Sequence, residues 1–171
     1  MSDDVQQLIA KQAITEELYK YCRSFDRLDD ALALSVWHEC GTLQYANGPV
    51  QTVAEYLPGS TEVRRSLLNC SHQITNILIK VKGDRAVSEA YVTASLQEKP
   101  DAKNNMAENL YRGRYIDQWS LRDGKWGIDH RQFLPDSYTR IEFNNGFAGT
   151  PFLEMAKRDG SDPSYAAFAA L

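Results

Sequence analysis

The spacing of apolar and polar positions changes once along this chain, near residue 70. Before that point apolar residues recur at intervals of three and four: Val5, Leu8 and Ile9, then Ile14, Leu18, Cys22 and Phe25. This predicts an amphipathic helix of about twenty residues. Asp3 or Asp4 opens it, with a side-chain oxygen for the first unpaired N–H groups. Asp29 or Asp30 similarly predicts the start of a shorter helix carrying Leu32, Leu34, Val36 and Trp37. Residues 42–45 read as a strand and Asn47-Gly48-Pro49 as a turn. A third helical region, 53–69, is expected to break at Pro58-Gly59, with Ser60 or Thr61 as a new cap.

After residue 70 the period is two. Residues 72–81, 86–97, 106–121 and 125–133 read as strands. Lys82-Gly83-Asp84 and Arg122-Asp123-Gly124 are the tight turns between them, and 98–105 is a polar loop. Helices followed by antiparallel strands make an α+β architecture. A helix across one face of a curved sheet can close a cavity. Neither a repeat nor a linker interrupts residues 1–135, which read as one domain. Residues 136–171 form a tail with a short helix at 151–158 and an apolar end at 165–171. Packing on a neighbouring subunit and a disordered end are both open readings of it.

Composition narrows the function classes. A chain of 171 residues with 43% hydrophobic and 25% charged residues builds a real core. A net charge of −4 argues against nucleic acid. The Arg64–Arg65 and Arg112/Arg114 pairs are too few to reverse that. Cys22, Cys40 and Cys70 form no disulfide framework and no CxxC pair, which fits free thiols in a reducing cytosol. The acidic N-terminus has no apolar signal core, and no apolar run approaches the roughly 20 residues of a membrane helix. A cytoplasmic protein is expected. Gly113-Arg114 sits inside a strand pattern, so no phosphate loop is expected. His38, His72 and His130 match no zinc spacing, so neither metal nor cofactor is expected.

Three stretches then carry a resemblance. They are Ala13-Ile14-Thr15-Glu16-Glu17-Leu18-Tyr19-Lys20-Tyr21-Cys22-Arg23-Ser24-Phe25-Asp26, Ser71-His72-Gln73-Ile74-Thr75-Asn76, and Gly113-Arg114-Tyr115-Ile116-Asp117 followed by Asp123-Gly124-Lys125-Trp126-Gly127-Ile128. In order and spacing the chain, from Ala13 to about Arg131, resembles the SnoaL-like branch of the nuclear-transport-factor-2 superfamily. That branch holds scytalone dehydratase, lindane dehydrochlorinase and bile-acid dehydratase. The resemblance implies a cone-shaped α+β barrel, with N-terminal helices packed on a curved, mostly antiparallel sheet. It also implies a homo-oligomer, a trimer before a dimer.

By the same resemblance Asp26 and His72 take the places of a catalytic dyad. Neutral imidazole is a competent base near neutral pH. A carboxylate on one ring nitrogen fixes the tautomer and favours the imidazolium formed by proton abstraction. Each residue also has a plainer reading: Asp26 as a helix end, His72 as a half-buried strand residue bonded to backbone. Tyr21 matches a tyrosine that can donate to a developing oxyanion or a leaving group. Tyr45, Tyr115 and Arg131 are the candidates for substrate contact. His130 and Arg131 alternate, so only one faces inward. An outward Arg131 is unremarkable; an inward one needs a partner or an anionic substrate group. Arg112 and Arg114 share one face of their strand, and Tyr111, Tyr115, Asp117 and Trp119 the other. Lys20 and Arg23 read as surface charge, and Cys22 and Cys70 as small core fillers.

The implied function is a cofactor-free lyase acting on a hydrophobic, aromatic or polycyclic small molecule. Dehydration, dehydrohalogenation and formaldehyde-releasing retro-aldol cleavage all fit one general base. Nine Tyr, six Phe and three Trp suit an aromatic pocket. An isomerase or cyclase of the same fold is the alternative, and so is a non-catalytic binding or scaffold protein.

Overall fold

The computed structural model describes residues 3–144 and 156–171. Helix α1 spans Asp3–Asp26. Its buried stripe starts later than its apolar stripe: Ala10, Ile14, Leu18, Tyr21, Cys22 and Phe25 are buried, whereas Val5, Leu8 and Ile9 stand exposed. Helix α2, Asp30–Ser35, is capped by Asp29, whose carboxylate accepts from the Leu32 N–H. It stops short of Trp37, which instead opens strand β1, Trp37–Tyr45. The apolar run 32–37 thus holds a helix end and a strand start, which periodicity alone does not separate.

A two-residue strand β2, Gln51–Thr52, leads into α3, Val53–Ser66. The expected break at Pro58 is absent. Thr52 and Glu55 form a reciprocal capping box that starts the helix, and Val53, Leu57, Thr61 and Arg64 bury one continuous stripe across Pro58. Tertiary packing outweighs the one backbone bond the proline removes.

The remaining strands are β3 (Asn69–Lys82), β4 (Arg85–Gln97), β5 (Asn105–Arg122) and β6 (Lys125–Asn144). The six strands form one curved sheet in the order β2-β1-β6-β5-β4-β3. All pairs are antiparallel except β1 with β6. The two ends of the sheet do not meet, so the cone is open rather than a closed barrel. Helix α1 lies against β3 and β6 across the concave face. Between them sits the core, including Ile14, Leu18, Val36, Leu43, Trp119 and Ile128.

Strand β6 runs past the expected end at Phe133, so residues 136–144 belong to the sheet rather than to a separate tail. A register shift between Arg112 and Gly113 lets Pro135 sit opposite Gly113, consistent with the confinement of proline to bulges and edges. A Cβ on Gly113 would collide with the Leu134 carbonyl and the Phe133 ring. The expected helix at 151–158 lies largely outside the described residues; 156–158 are irregular. Helix α4, Pro163–Ala169, capped by Asp162, folds back onto this same chain. Arg23 donates to Ser164 at 3.0 Å, and the Tyr165 hydroxyl donates to Asp29 at 3.1 Å. No described helix is long and apolar enough to cross a membrane.

Candidate active site

Asp26 is the last residue of α1, and its carboxylate is held by two bonds from one residue. Oδ2 accepts the backbone N–H of His72 at 3.0 Å, and Oδ1 accepts from the His72 ring at Nδ1, 2.7 Å away. The backbone bond fixes the carboxylate relative to β3, and the ring bond fixes the imidazole. Because Nδ1 carries the proton given to Asp26, Nε2 is the ring nitrogen left for chemistry. Phe25 meets the His72 ring edge-on at 5.9 Å. Cys70, two residues earlier on the same strand face, places Sγ 3.8 Å from Nδ1.

His72 and Cys70 line a cavity of about 620 Å³ between α3 and the sheet. Six aromatic side chains line it, alongside Val63, Val92, Ala94 and Leu96. Tyr45 stacks on Tyr56 at 5.2 Å and contacts Phe133 at 5.3 Å, and Tyr115 lies 5.7 Å from Phe133. Tyr111 completes this side, so the face of β5 carrying Tyr111 and Tyr115 is the one that points inward. Opposite, buried Arg64 lays its guanidinium 4.1 Å above the Phe25 ring and donates to the Phe25 carbonyl at 3.2 Å. A second hollow, of about 940 Å³, meets the dyad from outside; Asp26, His72, Arg23, Tyr165 and Phe168 line it. The imidazole therefore stands in a wall shared by two spaces.

The electrostatics favour an ion pair. Burial opposes charge on the His72 ring, but the hydrogen bond to Asp26, with the influence of Cys70 and the Asp26 charge, outweighs it. The ring's pKa is raised from 6.5 to about 9. Burial also pushes the phenols of Tyr21, Tyr45 and Tyr115 well above their ordinary value. They stay protonated and are available only as neutral groups. Burial drives the Cys22 thiol up to about 12, in keeping with an inert filler.

Four expected roles change. Tyr21 is buried behind the cavity wall: its hydroxyl lies 3.1 Å from that of Tyr45, and Tyr45 is the one that reaches the cavity. Arg131 faces inward, but not into the cavity. It is fully buried and bonded twice to Asp117, at 2.7 and 2.8 Å. Its guanidinium lies between the rings of Tyr21 and Tyr115, at 4.1 and 4.0 Å. A charge already neutralised by a bidentate carboxylate has little left for a substrate, so Arg131 is a core residue rather than a substrate contact. Arg23 is not free surface charge: Tyr165 and Phe168 of α4 flank it at 4.7 and 5.1 Å. Cys70 is a cavity-lining neighbour of the dyad rather than a filler.

Residues 6–132 match the SnoaL-like domain family. The chain belongs to the SnoaL-like family. No curated protein matches it in sequence. Solved structures share its fold. A putative scytalone dehydratase from Novosphingobium aromaticivorans superposes with a TM-score of 0.68 at 20% identity, covering 78% of this chain and 88% of that one. Hexachlorocyclohexane dehydrochlorinase LinA-type3 from Novosphingobium barchaimii gives 0.69 at 17% identity, covering 90% and 100%. A protein of unknown function from Mycobacterium tuberculosis gives 0.65 at 20% identity, covering 99% and 90%.

Some of this SnoaL-like site was outside the reach of sequence reasoning. Arg158 donates from Nε to the Asp26 carbonyl at 3.2 Å and from Nη1 to the Arg64 carbonyl at 2.8 Å, tying the tail to the dyad. A contact 132 residues apart leaves no local signal. Tyr56 and Arg64 lie on the helical stripe of α3, where only knowledge of the facing cavity distinguishes them from ordinary core. Cys70 did have a signal, since alternation puts it on the face of His72.

Proposed function

We propose that this protein is a cofactor-free lyase that eliminates a small group from a hydrophobic, aromatic small molecule, with His72 as the general base. The observation that carries this is the 2.7 Å Asp26–His72 bond at the wall of an aromatic-lined cavity. Asp26 holds Nδ1–H, and Nε2 takes a proton from carbon or from a hydroxyl of the bound molecule. In a dehydration or dehydrohalogenation the C–H electrons form the new double bond, and hydroxide or halide departs. In a retro-aldol cleavage the O–H electrons form the carbonyl of a small aldehyde, and the breaking C–C pair is reprotonated. Tyr45 and Tyr115 line the cavity and are kept neutral by burial, which supports them as donors to the departing oxygen or halide.

The related structures named for loss of water and of hydrogen chloride support elimination as the reaction class. The stacked tyrosines favour a flat, aromatic ligand over an aliphatic one. A homo-oligomer of three copies is part of the proposal, supported by exposed Leu8 and Ile9 on α1 and Leu78 and Tyr91 on the sheet. A monomer in light scattering would remove that part alone.

The deciding experiment is proton NMR in deuterated water. Wild type and His72→Ala are incubated with β-hydroxy ketones, halocyclohexanes and diaryl propanediols. Product formation or C–H exchange by wild type, lost in the variant, is expected. Equal turnover by both proteins would overturn the assignment of His72. Exchange without a lost fragment would convert the reading to an isomerase.

A further inference from the structure

Asp26, Cys70 and His72 offer three different metal-ligand atoms within 4.8 Å of one another. Two come from one face of β3 and the third from the end of α1. Around a tetrahedral zinc ion, with Zn–N and Zn–O near 2.1 Å and Zn–S near 2.3 Å, N···S separations are ~3.6 Å and N···O separations ~3.4 Å. The Nδ1–Sγ distance here is 3.8 Å and the Nδ1–Oδ1 distance 2.7 Å. The first already fits; the second has only to open as a cation replaces the shared proton. The other carboxylate oxygen stays on the His72 backbone N–H, so Asp26 need not leave its place.

We propose that Asp26 Oδ1, Cys70 Sγ and His72 Nδ1 form a three-ligand site for a zinc-class divalent cation, with a fourth position open to the cavity that Cys70 and His72 line. Charge supports this: a thiolate and a carboxylate together neutralise a divalent ion, which makes burial tolerable. Donor type supports it too. Sulfur, imidazole and one carboxylate suit zinc, whereas magnesium and calcium need several oxygens. On binding, the thiol proton and the Nδ1 proton pass to solvent, and the remaining ring proton sits on Nε2. The cation thus takes the bond that orients His72. It stands on the ligand geometry and does not rest on the lyase reading.

The test uses the chelator-treated full chain and reads binding, not turnover. Zinc chloride titrated by calorimetry should bind at one equivalent and release protons. Cobalt(II) in its place should give a thiolate-to-metal charge-transfer band and the strong visible bands of a four-coordinate ion. Cys70→Ser should erase the charge-transfer band and weaken zinc binding at least tenfold, while Cys40→Ser, at an exposed thiol, should change neither. No binding by wild type, or a band that survives Cys70→Ser, overturns the site. X-ray absorption on zinc-loaded wild type decides the matter if Cys70→Ser does not fold. One sulfur among otherwise nitrogen and oxygen neighbours is expected, and a shell of oxygen alone refutes it.

Discussion

Two carboxylate–cation pairs lie inside this molecule, and they differ in what surrounds them. Asp26–His72 sits in a wall between two hollows, with the ring nearly but not wholly buried. Asp117–Arg131 is sealed, with both side chains at 0% exposure and two aromatic faces on the guanidinium. The first cation gives up its proton around pH 9, while the second keeps its own. The same attraction therefore holds an accessible, titratable group in one place and a fixed strut in the other. Access and titratability, not the presence of a buried ion pair, separate chemistry from architecture here.

The sharpest break in that comparison removes one partner from each pair. His72→Ala should lower kcat/KM by roughly 10²–10⁴ on the substrate found by NMR, the usual weight of a general base. The fold should survive, because the ring borders open space. Asp117→Ala should do the reverse. It leaves an uncompensated charge in the core and should cost about 3–5 kcal/mol of stability, read as a lowered urea midpoint. The joint replacement Asp117→Leu with Arg131→Met should recover most of it, since a buried pair exchanged for apolar groups is often near neutral. If Asp117→Ala were as stable as wild type, the strut reading of this pair would be wrong.

Acidity sharpens the same contrast. The folded His72 pKa of about 9 lies above its ordinary 6.5, so the base form is the minority at neutral pH. The kcat/KM should climb roughly tenfold per pH unit and level off above about pH 9. Stability should move the other way. The folded protein holds this proton more tightly than the unfolded chain does. The contribution is fully present below about 6.5 and is lost as pH rises through about 9. Rate profiles and urea midpoints across that window check both signs. Asp26→Asn should pull the rate plateau to lower pH, while Arg131, whose pKa the Asp117 carboxylate holds well above its ordinary value despite burial, adds no slope. A rate that plateaus near pH 7 in wild type would remove the ion-pair picture.

How visible these two regions were in the sequence also differs, for physical reasons. The first helix and the long strands follow from spacing alone, because period 3.6 and period 2 bury different sets of residues. Asp26 and His72 came from a family resemblance carried by the residues around them. The Asp117–Arg131 pair could not be counted out. Starting from the turn, where Arg122 faces Lys125, regular pairing would set Asp117 opposite His130. A register shift between Gln118 and Trp119 sets it opposite Arg131 instead. A bulge of one residue leaves no mark in alternation, yet it decides which charge meets which. The proline in α3 misled in the opposite direction, since a local rule yielded to a buried stripe that spacing did display.

The smallest effect tests how far the reactive region extends. Tyr21 and Tyr45 share a 3.1 Å hydroxyl contact, but only Tyr45 borders the cavity. Tyr21 also lies on the Arg131 guanidinium, so it belongs to the strut as much as to the site. Removing its hydroxyl by Tyr21→Phe keeps the ring over Arg131 and deletes one buried hydrogen bond, worth about 1 kcal/mol of stability. Its kcat should fall no more than a few-fold. Tyr45→Phe deletes the same bond from the other side and so should cost similar stability. If Tyr45 donates to the departing group, its kcat should fall by a further order of magnitude or more. The two variants thus hold the stability loss constant and vary only access to the cavity. Equal kcat losses would mean that the phenols act as one bonded unit, and that the boundary between strut and site lies deeper than Tyr45.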